Sequence, residues 1–93
     1  MKDSIKRKDY YEDCGYIPRL CIDNNGESVA GISLIDGSIG SCSIRYCNPR
    51  KLTSDAAIRI AMYGPYSKRK KQYLKEFYKS EWGNGRKIWW EEK

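Results

Sequence analysis

Ninety-three residues carrying a net charge of +6 are enough for one domain with a small core. At 40% hydrophobic and 32% charged, with eight Tyr and three Trp, the chain is too apolar and too aromatic for the disordered class. No apolar run approaches the roughly 18 residues that span a bilayer, and the absence of histidine excludes every catalytic triad or dyad with an imidazole base as well as every His-ligated metal.

The first thirteen residues mix four bases with four acids and lack apolar periodicity. They read as a mobile or late-docking charged arm (1–13) ahead of a single folded domain (14–93). No apolar signal core follows the charges of "MKDSIKRKDYYED", so the expected location is cytoplasmic. Tyr16 to Ile22 alternates as a strand, with Leu20 and Ile22 on one face, Arg19 and Cys21 on the other, and Pro18 confining it to a sheet edge. "DNNGE" is a turn whose Asn and Gly tolerate positive φ. Ser28 to Ile35 is the second strand, "DGSIGS" the next hairpin, and Ser41 to Cys47 the third strand.

After "NPRK" the sequence turns helical. Thr53 or Ser54 caps, Asp55 suits the first turn, Ala56 to Tyr63 run without a breaker, and Gly64 and Pro65 stop the helix. A second helix is expected from Ser67 to Trp82, followed by a "GNG" turn and a short final strand in "RKIWW". The fold class is therefore α+β: a three- to four-stranded antiparallel meander, then two C-terminal helices, the second laying its aromatic face on the sheet.

Four cysteines, Cys14, Cys21, Cys42 and Cys47, match the number of an all-thiolate zinc site, but their spacings miss the C-x2-C knuckle. In a regular strand Cys42 and Cys47, five apart, point to opposite faces and cannot share an ion unless the chain bends near Asn48 and Pro49. Reduced, partly buried thiols are the leading reading, with no metal and no cofactor. A structural zinc on Cys14, Cys21, Cys42 and Cys47 is one alternative, and one or two disulfides are the other, disfavoured in a reducing cytosol.

No cysteine precedes a predicted helix closely enough to be activated by its dipole, "GSIG" lacks the context of a phosphate loop, and the only paired carboxylates are chain neighbours. The chain is therefore expected not to be an enzyme. What stands out is charge: Pro65 to Ser80 holds six basic residues against Glu76 alone, nearly the whole excess of +6. On a helical wheel, Tyr73, Leu74, Phe77, Tyr78 and Trp82 occupy one side and Lys68, Lys75 and Lys79 the other. Lys68 to Lys79 spans about 16 Å, enough to face several phosphates. If "KIWW" is a strand, Trp89 and Trp90 point to opposite sides and one of them is exposed, ready to stack a base or anchor an interface.

The expected function is a small non-enzymatic nucleic-acid-binding module. It would contact phosphates through Lys68, Arg69, Lys71, Lys75, Lys79, Arg86 and Lys87, with Trp89 as a stacking platform. The alternative is a protein-binding regulator or inhibitor of a nucleic-acid-processing enzyme, docking its basic face on an acidic protein surface. An amphipathic membrane contact is disfavoured, because so small a domain needs its aromatic face for its own core.

Overall fold

Two short hairpin turns organise the first half of the chain. The computed structural model describes residues 5–80 and 88–91. Strands β2 (Pro18–Asn24) and β3 (Ser28–Ser33) pair antiparallel across a turn in which Asn25 Oδ1 accepts from the backbone N–H groups of Glu27 and Ser28 and Gly26 takes a φ of 92°. That φ is where the missing Cβ matters. β4 (Ile39–Ser43) returns beside β3 after a turn closed on Asp36, whose carboxylate accepts from Ser38.

The sheet has five strands, in the order β4-β3-β2-β1-β5, rather than the expected three or four, and all pairings are antiparallel. The two additional strands are β1 (Tyr10–Glu12), drawn from the charged N-terminal segment, and β5 (Arg50–Leu52). Residues 5–13 are therefore docked rather than a mobile arm, and residues 1–4 lie outside the described part. Tyr11 and Ile5 are buried, Lys8 N–H donates to Cys21 O, and Asn24 Nδ2 donates to Ile5 O. Three residues are too few to show alternation, and the charges around them mask two apolar anchors. β2 is correspondingly an interior strand and not an edge. Pro18 is tolerated there because it is the first residue of the strand.

The expected third strand also ends early. At Ser43 the chain turns into a single helical turn, α1 (Ile44–Cys47), with the Ser43 hydroxyl accepting from Tyr46 N–H and Asn48 closing the turn in the left-handed region at φ 49°. α2 (Ser54–Tyr63) begins and ends as the sequence indicates, with Thr53 as N-cap and Gly64 as C-cap. α3 (Lys68–Lys79) is capped by Ser67, whose hydroxyl accepts from Arg69 and Lys70 N–H. In place of a final strand, Trp89–Glu91 form a 3-10 turn.

Each face of the sheet has its own core. Ile5, Tyr11, Cys21 and Val29 form one, with Cys42 and Ile44 packed against it. Ile60 of α2, Leu74 of α3 and Trp89 form the other, surrounded by Tyr16, Ile17, Ile35, Leu52, Tyr78 and Trp90. It is α2, not α3, that lies against β1 and β2. α3 packs outside it, on the loop before β2 and on the 3-10 turn. Among the described residues no helix is long and apolar enough to cross a membrane.

Candidate functional site

The basic residues of α3 divide into two groups. Lys70 is structural: its Nζ lies 2.9 Å from Oε1 of the buried Glu12 and 5.0 Å from the centre of the Tyr16 ring. Arg50 reaches the same carboxylate oxygen at 3.2 Å, so β1, β5 and α3 meet on one charge. Lys75 pairs with Glu91 at 3.5 Å, both largely exposed, a contact worth under about 1 kcal/mol. Lys68, Arg69 and Lys79 are exposed and Lys71 is half-buried, and none of the four side chains makes an ion pair among the described residues. Arg86 and Lys87 lie outside the described residues, as does Trp82.

The aromatic side of the wheel is covered only in part, with Tyr73 50% exposed. Leu74 is buried, Phe77 and Tyr78 are half-buried, and rings connect in a chain from Tyr16 through Tyr73, Phe77, Tyr78 and Trp89 to Trp90. Trp89, expected as an exposed platform, belongs to the core: it is 9% exposed and its indole N–H donates to Ile60 O at 3.1 Å. Trp90 is half-buried and covers Gly64, where an added Cβ would come within 2.6 Å of the indole. A 3-10 turn does not oppose consecutive side chains as a strand does, so both rings can turn inward.

Exposed aromatics are Tyr46 of α1, Tyr73 of α3, and a pair on α2 and just after it. The Arg59 guanidinium sits 5.7 Å from the Tyr63 ring centre and 5.6 Å from that of Tyr66, with Tyr63 55% and Tyr66 59% exposed. Tyr66 leads directly through Ser67 into Lys68 and Arg69, so this stack adjoins the exposed cations at the start of α3. The sequence carried a signal for it: Arg59 and Tyr63 are four apart on one helix face, and Tyr66 follows Pro65. Ile58 and Met62, half or nearly half exposed, lie on the same helix.

A groove of about 520 Å3 separates Tyr73, Phe77 and Tyr78 from Ser33 and Asp36. Arg19, which lines it, is held by Asp13 at 2.7 Å and donates to the carbonyls of Gly31 and Ser38. It is a structural clamp rather than a ligand arm.

The helical turn at Ile44–Cys47 removes the parity that would separate Cys42 from Cys47. Cys47 touches Cys42 through a side-chain hydrogen bond and lies 2.8 Å, Sγ to Sγ, from Cys14. Hydrogen bonding to Cys47 and partial burial push the Cys14 thiol up to about 11, and burial raises Cys42 and Cys47. Cys21 stands apart, buried in the first core with its thiol directed to Asp23 O. The four cysteines thus do not gather into the tetrad of the zinc alternative. Among the described residues no group of three or more Cys, Asp or Glu is arranged to hold a metal ion.

No family model, curated protein or solved structure matches the chain.

Proposed function

We propose that the protein is a small nucleic-acid-binding module that holds the phosphate backbone through Lys68, Arg69, Lys71 and Lys79, with the Arg59, Tyr63 and Tyr66 stack beside them for unpaired bases. The observation that carries this reading is the division of the basic helix: Lys70 is held by Glu12 and Lys75 by Glu91, while Lys68, Arg69, Lys71 and Lys79 make no ion pair among the described residues. Lysine is a compact point charge poor at bidentate base reading, so binding is backbone-dominated and weakly sequence-selective. Exposed tyrosine faces favour single strands over duplex.

Four neutralised phosphates give a slope of log K against log salt of about −3 to −4. Fluorescence anisotropy with labelled single- and double-stranded DNA and RNA checks this. A flat salt titration, or no binding to any of the four at low salt, excludes the proposal.

A second reading is a regulator that docks on an acidic protein surface. It is favoured by Ile58 and Met62, apolar side chains exposed beside the Arg59 stack. Affinity capture before and after nuclease treatment separates the two, since a protein partner is retained and a nucleic-acid-bridged one is lost.

A further inference from the structure

Cys14 and Cys47 are 33 positions apart in sequence, yet their sulfurs touch at 2.8 Å. Both are presented by fixed local geometry. The loop carrying Cys14 is tied by Asp13, whose Oδ1 accepts from the N–H groups of Gly15 and Ile17 and whose Oδ2 holds Arg19. Cys47 ends α1, which is closed at one end by the Ser43 hydroxyl and at the other by Asn48. The two thiols line an open cleft of about 640 Å3, together with Tyr16, Pro49 and Arg50, within the range that admits a small peptide-sized ligand. Of the three contiguous thiols only Cys14 is exposed. Cys42 is held in the β3–β4 ladder opposite Val29 and packs on the first core.

We infer that Cys14 and Cys47 are a modification site, oxidised to an intramolecular disulfide by exchange with a small soluble disulfide of the glutathione class. The exposed Cys14 thiol first gives its proton to solvent, which its raised pKa of about 11 makes the limiting step, and the thiolate attacks one sulfur of the reagent, forming a mixed disulfide and releasing one thiolate. The Cys47 thiolate then attacks Cys14 Sγ, forming the Cys14–Cys47 bond and releasing the second. The cysteine pair loses two electrons and two protons. The reagent gains both and leaves as two thiols. The new bond ties the β1–β2 loop to the end of α1, closing a long loop in the unfolded chain and stabilising the folded one.

The test is titration of the purified, reduced protein with oxidised glutathione, followed by alkylation of the remaining thiols and non-reducing peptide mapping. The expected result is a Cys14–Cys47 cross-link, with Cys21 and Cys42 alkylated, and a melting temperature higher by about 10 °C that returns to its starting value with reductant. Cys47→Ser should instead stop at a stable glutathione adduct on Cys14. A cross-link to Cys42, an adduct on Cys14 that persists in the unaltered protein, or thiols protected from alkylation by stoichiometric zinc would each overturn the inference.

Discussion

Tyr11 shows how much one side chain decides in a sheet this small. Its ring lies across Gly31, where an added Cβ would meet the ring at 2.8 Å, so the glycine is required by close approach and not by its backbone angles. The phenol is fully buried and its hydroxyl has no hydrogen-bond partner among the described residues. Burial raises its pKa well above the ordinary tyrosine value. Two substitutions should therefore act oppositely. Tyr11→Phe keeps the packing and removes an unpaired polar atom, so stability should hold or rise by up to about 1 kcal/mol, whereas Gly31→Ala should lose about 1–3 kcal/mol through overpacking. Urea denaturation of both variants checks the pair. Loss of stability in Tyr11→Phe would mean that the hydroxyl has a partner. None of this is legible in the sequence, because a glycine within a strand does not say what approaches it and Tyr11 stands among charges.

At the scale of elements, the sequence was most readable where local chemistry and tertiary context agree. Thr53, Asp55 and Gly64 delimit α2, and Ser67 opens α3, because capping depends on residues only a few positions apart. It was least readable where a long-range partner decides. Ser41 to Cys47 alternates well enough for a strand, but Ser43 and Asn48 are a cap and a left-handed closer, and together they outweigh the alternation. On α3, composition cannot tell a lysine facing solvent from one reaching a buried carboxylate from across the fold. That distinction is testable. Lys70→Gln leaves Glu12 with Arg50 alone in a site where the carboxylate is 5% exposed, and should cost about 1–3 kcal/mol. Replacing Lys68, Arg69 and Lys79 together by Gln should change stability by under about 0.5 kcal/mol per site while weakening nucleic-acid binding at least tenfold. Thermal melts and anisotropy on the same variants check both halves. A large drop in melting temperature for the triple variant would show that those side chains are structural.

For the molecule as a whole, the N-terminal segment decides whether the two halves form one unit. β1 lies between β2 and β5, and its residues reach the first core and the basic helix: Tyr11 fills that core, and Glu12 draws in Arg50 and Lys70. Without it β5 has no neighbour in the sheet order, and the meander of β2, β3 and β4 loses its strand pairing to the segment that leads into α2. Deleting residues 1–13 should therefore abolish cooperative folding rather than trim an appendage. The deletion removes two buried core side chains, Ile5 and Tyr11, at a cost that exceeds the margin of a domain this size, where large-to-small core changes alone run to about 2–5 kcal/mol each. The single substitution Tyr11→Ala is the graded form of the same test and should lose about 3–5 kcal/mol. Near-ultraviolet circular dichroism is suited to the measurement, because the ring chain from Tyr16 to Trp90 reports tertiary packing on the far side of the sheet. If the truncated chain retains that signal and a sharp thermal transition, the charged segment is an accessory after all, and β5, α2 and α3 hold to the meander without it.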